Sequence, residues 1–134
     1  MLPWWHLATS LIVSYSLVIL LGFDFSTGLN WIIVGCAAGT FIDLDHLLYA
    51  LITFKGKWYK YIKSGIEDPK GLMLKFQKKG TLASHAHKRM ILHVASMLSI
   101  YTISLYAFPS YSLVIGLVFI AHLLLDIEPR WLLV

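Results

Sequence analysis

The chain has 134 residues, of which 58% are hydrophobic and 13% charged, and its formal net charge is +4. Soluble domains average roughly 45–50% apolar and about 25% charged residues. With a mean hydropathy of +0.73, the composition therefore excludes an ordinary soluble domain and indicates one membrane domain. The single cysteine excludes a disulfide framework and a zinc site built from several thiolates.

Apolar segments predict an all-α integral membrane protein built as a four-helix bundle. A helix needs about 20 apolar residues to cross the hydrocarbon, and the crossings are predicted at 7–22, 29–42 or 29–53, 90–108 and 111–127. The first segment has no Lys or Arg before it and no small-residue cleavage site after it, which favours a retained membrane helix over a signal peptide. Tryptophans near the segment ends are typical of interfacial anchors.

Segment 54–89 is strongly basic. It holds every Lys and Arg except Arg130, and the positive-inside rule then places it in the cytoplasm, with both termini on the same side of the cell inner membrane. The net charge thus indicates membrane lipids as partners rather than nucleic acid. In "FKGKWYKYIKSGI" aromatic residues alternate with lysines, which predicts an additional amphipathic helical loop lying among anionic headgroups.

The polar residues of the apolar segments gather at the predicted cytoplasmic end. Ionisable residues inside a membrane cost about 2.5–3.5 kcal/mol each and usually pair or serve a site. Histidine and carboxylate without thiolate suit zinc, manganese or iron. The candidate metal ligands are His6, Asp43, Asp45, His46, His85, His87, His93, His122 and Asp126.

The stretch "FIDLDHLLYALITF" places charges inside an apolar run. Asp43 and His46 are three residues apart and share a helix face, whereas Asp45 points about 200° away from Asp43. Either Asp45 acts behind the ligands or the helix breaks near residue 43. We expect the break, with Ile42 ending a short crossing and a separate interfacial helix running from Leu47.

Two further spacings bear on the ligands. His122 and Asp126 are four residues apart, so both can reach one ion. His85, Arg89 and His93 form a stripe on the third helix if that helix already runs at residue 85. If it begins later, either His85 or His87 can turn inward, and the sequence leaves this choice open.

These motifs, in this order, resemble the YdjM-type membrane-bound metal-dependent hydrolases, which are described as distantly similar to zinc-dependent phospholipase C. The matching positions are His6, "DLDH" (Asp43, Asp45, His46), "HKRMILH" (His87, Arg89, His93) and "HLLLD" (His122, Asp126). The chain departs from the family in having Ile42 where a proline usually precedes the first Asp, and in the Lys88 that separates His87 from Arg89. The resemblance implies metal binding by the histidines and aspartates among these positions.

The favoured function is a metal-dependent hydrolase acting on a phosphoester of a phospholipid or polyprenyl phosphate. Two or more divalent ions, zinc first, would activate water, Asp43 or Asp45 would bridge the ions, and Arg89 with Lys88 would hold the phosphate. One alternative is a metal-binding or metal-transporting membrane protein, which the scarcity of polar residues in the outer halves disfavours. The other is a b-type haem protein with histidine ligands, which the neighbouring carboxylates disfavour.

Overall fold

The computed structural model describes residues 3–68 and 80–126, and in that part of the chain all regular structure is helical. This confirms the all-α class. The helices are α1 (Pro3–Leu21), α2 (Phe25–Phe41), α3 (Leu44–Phe54), α4 (Trp58–Glu67), α5 (Gly80–Ala107) and α6 (Ser112–Asp126), with short 3₁₀ turns at Lys55–Lys57 and Pro109–Tyr111.

The chain divides into two compact units. Unit 1 contains Met1–Ile42 and Met97–Val134, and therefore holds α1, α2, α6 and the last turns of α5. Unit 2 is Asp43–Ser96 and holds α3, α4 and the first part of α5.

Three stretches of helix are long and apolar enough to cross a membrane, Trp4–Leu21, Lys88–Ala107 and Pro109–Asp126. They agree with three of the predicted crossings and indicate a membrane protein. The fourth apolar helix, α2, has 17 residues and is shorter than these.

The link between α1 and α2 is closed by two helix caps. Gly22 has φ +66°, and the N–H groups of Gly22 and Phe23 donate to the carbonyls of Ile19 and Val18 at 3.2 Å, which is the Schellman arrangement that ends a helix. Asp24 then begins α2, since its side chain accepts from the backbone of Ser26 and Thr27 at 3.0 and 3.1 Å. So short a link makes α1 and α2 antiparallel neighbours.

Glycines on α2 let α1 approach closely. A Cβ at Gly35 would overlap the hydroxyl of Ser14, and a Cβ at Gly39 would overlap the hydroxyl of Ser10. Without a side chain at either position the two backbones come together, as small residues allow in membrane helices. The same two glycines also face Val114 and Val118 of α6.

α6 packs against both α1 and α2 and completes the apolar core of unit 1. The buried residues of that core are Trp31, Ile42, Met97, Val114, Ile115, Val118 and Phe119. α1 and α2 are antiparallel and α2 and α6 run the same way, so the start of α1, the end of α2 and the end of α6 lie at one end of unit 1. We call this the polar end of unit 1.

The predicted break near residue 43 is confirmed, because α2 ends at Phe41 and α3 begins at Leu44. The alternative of one helix over 29–53 is therefore wrong. Helix α3 begins three residues earlier than the expected Leu47, so Asp45 and His46 lie in its first turn. Of the three polar residues, only Asp43 lies in the turn between α2 and α3. In one continuous helix, Asp43, Asp45 and His46 could not all share one face, and the break removes this constraint.

Segment 54–89 is helical over much of its length. It includes α4, and α5 begins at Gly80, ten residues before the predicted crossing at 90–108. The membrane-capable stretch of α5, Lys88–Ala107, agrees with that crossing. Hydropathy marks the part of a helix that sits in lipid, whereas the helix itself continues through Ala, Lys and Arg, which favour helix strongly. Residues 69–79 of the predicted basic loop lie outside the described residues, as does Arg130.

Candidate metal centre

Two stripes of buried residues lead to the polar end of unit 1. On α1 the stripe consists of His6, Ser10 and Ser14, and on α6 of Val114, Val118 and His122, all at most 2% exposed. Members of each stripe are four residues apart and so follow one helix face. Each stripe ends in a histidine. The Ser10 hydroxyl also donates to the carbonyl oxygen of His6 at 2.7 Å. This bond lies within α1, on the side where Ser10 packs against Gly39 of α2.

The two histidines stack. The ring centroids of His6 and His122 are 3.8 Å apart, and the ring planes differ by 21°. Both side chains are almost fully buried, at 2% and 0% exposure. Each ring also presents its Nε2 atom to the same carboxylate, that of Asp126.

Asp126 faces both of these nitrogens. One carboxylate oxygen lies 3.5 Å from His6 Nε2, and the other lies 3.5 Å from His122 Nε2. Asp126 follows His122 by one helical turn, so α6 supplies both groups from one face. One ligand atom from each of the three residues lies within 4.8 Å of the others.

These separations fit a metal site better than direct hydrogen bonds. A hydrogen bond from ring N–H to carboxylate spans about 2.7–3.2 Å. Zinc–nitrogen and zinc–oxygen bonds of about 2.0–2.2 Å put neighbouring tetrahedral ligands roughly 3.3–3.6 Å apart. The distance of 3.5 Å from each imidazole to Asp126 lies within that range. The residues of unit 1 thus form a possible His/Asp metal site.

Unit 2 contains a second buried pair of different geometry. The Nδ1 atom of His93 lies 2.7 Å from a carboxylate oxygen of Asp45, and the side chains are 0% and 6% exposed. This is the length of a short charge-assisted hydrogen bond. A carboxylate on Nδ1 fixes the ring orientation and tautomer of His93, as outer partners of ligating histidines do. Asp45, predicted either as a ligand or catalytic carboxylate or as a residue acting behind the ligands, contacts this histidine.

Asp43 occupies the two-residue turn between α2 and α3 and is half-buried. It directly follows Ile42, the last residue of the first segment of unit 1, which is only 2% exposed. The chain therefore carries this carboxylate one peptide bond beyond the polar end of unit 1.

The remaining predicted residues lie on helices of unit 2. Lys88 is exposed and Arg89 half-buried on α5. α5 is helical from Gly80, which meets the condition under which positions 85, 89 and 93 follow one face. The backbones of His46, His85 and His87 are helical, but their side chains lie outside the described residues.

Sequence reasoning missed two relationships among residues that it had identified. It did not anticipate the stacking of His6 on His122, nor the bond between Asp45 and His93, which are 48 positions apart. The i, i+4 spacing of polar and small residues on α1 was the available signal for the first. Nothing in the local pattern indicated the second.

No protein-family model matches the sequence, and comparison with curated proteins and with solved structures gives no match. Fold and site together define a helical protein of the membrane type that carries a possible His/Asp metal site.

Proposed function

We propose that the protein is a membrane-embedded metal-dependent hydrolase that cleaves a phosphoester of a lipid at the cytoplasmic membrane surface. The observation that carries the proposal is the arrangement of Asp126 at 3.5 Å from the Nε2 atoms of both His6 and His122. Buried imidazoles sharing one carboxylate are the donor set of zinc hydrolases. Divalent ions held there would lower the pKa of bound water and neutralise charge on a phosphoryl oxygen.

The spacing of the rings supports a site for two ions, with zinc as the first candidate and manganese or iron as alternatives. Ions in two-metal hydrolytic sites lie about 3.5–4 Å apart, and the stacked rings of His6 and His122 are 3.8 Å apart. Each ring has its own Asp126 oxygen at 3.5 Å from its Nε2 atom, so each ring could hold one ion. The two oxygens of Asp126, one facing each ring, suit a bridging carboxylate.

Asp43 is the further ligand that we propose, because the chain carries it directly past the polar end of unit 1. With it the donor set would be two imidazoles and two carboxylates. His46 and either His85 or His87 remain proposed ligands on sequence grounds. Asp45, by contrast, is proposed as a positioning residue for His93, since its carboxylate lies 2.7 Å from Nδ1 and can orient the ring. His93 itself remains a proposed ligand on sequence grounds.

The membrane arrangement that goes with this function is a bundle of four crossings, formed by α1, α2, α5 and α6. α2 would be the short member, with Asp43 at the inner membrane surface. The lysines of 54–89 support a cytoplasmic location for that surface under the positive-inside rule. A lipid phosphate is the substrate class that reaches such a site from the bilayer, and Lys88 and Arg89 are the proposed phosphate-binding side chains.

The proposal is tested by metal analysis together with phosphate release. Full-length protein in lipid nanodiscs is loaded with zinc or manganese, freed of unbound metal, analysed for bound metal and assayed with phosphatidic acid and a polyprenyl phosphate. We expect bound metal and metal-dependent phosphate release, both lost in His122→Gln. Asp24→Asn is the matched control, since Asp24 caps α2 at the opposite end of unit 1 and asparagine also caps helices well.

The outcomes separate the alternatives. Folded protein without bound metal would refute the site itself. Bound metal without phosphate release from either lipid would refute the hydrolase and favour metal binding or transport, which metal uptake into proteoliposomes would then measure. A visible Soret band in protein purified with haem would favour the b-type haem protein.

A further inference from the structure

Helix α4 of unit 2 has two chemically opposite sides. At about 100° per residue, Trp58, Tyr59 and Ile66 fall within roughly one quarter of the helix circumference. All three are exposed, Ile66 at 77%. Lys60 and Glu67 lie on the far side, Lys63 borders the apolar side next to Tyr59, and all three are exposed as well. The described part of unit 2 does not cover this apolar side, which would therefore face water in a soluble protein.

The neighbouring helix α3 carries an exposed apolar stripe of its own. Leu44, Leu48 and Leu51 follow one face, and Ile52 adjoins them, with exposures between 40% and 66%. α3 has 11 residues, about 16 Å of helix, which is too short to cross the hydrocarbon. Exposed apolar stripes on two helices too short to cross a membrane indicate that these helices lie against another apolar surface.

Charge and residue type identify that surface. Lys57, Lys60 and Lys63 are exposed within seven residues, and the Lys63 ammonium lies 3.6 Å from the Glu67 carboxylate one turn later. Trp and Tyr prefer the headgroup level of a bilayer, where their rings meet lipid and their polar atoms meet water. Lysines beside an apolar helix side reach anionic headgroups while their stems cover apolar surface.

We propose that α4 lies in the plane of an anionic membrane surface, with Trp58, Tyr59 and Ile66 at the boundary between headgroups and acyl chains and with Lys60 and Lys63 on the headgroup side. In this proposal α4 is a lipid-binding element that shares no residue with the metal centre. It anchors unit 2 to the bilayer that the long helices of the chain are suited to cross. It needs neither bound metal nor hydrolase activity.

Spin labels on the two sides of α4 test the proposal in full-length protein. Single labels are attached at Ile66→Cys and, as the matched control, at Lys60→Cys, each in a Cys36→Ala background. Both positions are exposed, so neither change opens a cavity. The proteins are placed in nanodiscs of phosphatidylcholine with phosphatidylglycerol or of phosphatidylcholine alone, and collisions with oxygen and with a water-soluble nickel chelate are measured by electron paramagnetic resonance.

We expect the oxygen-to-nickel collision ratio to be several-fold higher at position 66 than at position 60 in the phosphatidylglycerol discs. In the neutral discs the difference should shrink. Equal nickel access at both positions would overturn the proposal by placing α4 in water. Exclusion of both reagents from position 66 would overturn it in favour of a protein partner, and an unchanged difference in neutral discs would refute the anionic preference.

Discussion

Replacing Asp126 by asparagine removes the charge that faces both imidazoles of the proposed metal centre. The carboxylate has one oxygen 3.5 Å from His6 Nε2 and the other 3.5 Å from His122 Nε2. Asparagine keeps the shape of the side chain, so the helix and the packing should survive. What changes is ligation, because the amide is neutral and only its oxygen can coordinate a cation.

The expected effect follows from binding linkage. At a metal concentration of about 100 Kd, binding stabilises the folded protein by about 2.7 kcal/mol. Loss of an outer partner of a ligand weakens metal binding by about 10–100-fold, so loss of a ligand charge facing both imidazoles should weaken it by at least about 100-fold. The same metal concentration would then stabilise the variant by only about 0.4 kcal/mol. For a chain of this size the missing roughly 2 kcal/mol corresponds to a melting temperature about 5–9 °C lower in metal.

The assay is thermal unfolding of purified protein in detergent, with and without zinc at a concentration that saturates the wild type. We expect zinc to raise the melting temperature of the wild type and of Asp24→Asn, but hardly that of Asp126→Asn. The reasoning is refuted if folded Asp126→Asn shows the full zinc-induced increase. It is equally refuted if zinc stabilises none of the three proteins.

Three other changes probe the fold and the second buried pair. Gly39→Ala should lower the free energy of unfolding by about 1–3 kcal/mol because its Cβ meets the Ser10 hydroxyl. Gly56→Ala, with open space around its Cβ, should have a much smaller effect in the same thermal unfolding experiment. Asp45→Ala should cost about 3–5 kcal/mol by removing the partner of buried His93, and Asp45→Asn less, since an amide oxygen still accepts from Nδ1; equal losses would contradict a hydrogen-bonding role. The Thr27 hydroxyl, helped by backbone N–H groups, lowers the folded-state pKa of Asp24 from its usual 3.8, so its contribution to stability is present above that pH and is lost as pH falls through the lower folded value. The difference in melting temperature between wild type and Asp24→Ala should therefore be constant near neutral pH and become smaller in strong acid, and a difference of unchanged size there would show that the charge is not responsible.

Local periodicity predicts part of the candidate site and the wider packing decides the rest. The pairing of His122 with Asp126 follows from helix geometry, and the break after α2 follows from three polar residues that no single face could accommodate. The stacking of His6 on His122 depends on how α1 and α6 are rotated and shifted against each other, and the pattern within either helix does not contain that register. The contact of Asp45 with His93 depends in the same way on where α3 meets α5.

The glycines of α2 supply the missing register. Gly35 and Gly39 each contact a serine of α1 and lie beside a valine of α6, so the three backbones are held at a fixed height and rotation relative to one another. Moving one further turn along α1 from Ser10, and one along α6 from Val118, reaches the two histidines. Because these steps are equal on both helices, the rings arrive at the same height and stack. Close packing by small residues in the apolar body thus determines the geometry of the polar end, so the chemistry of the site and the stability of the helix packing rest on the same contacts.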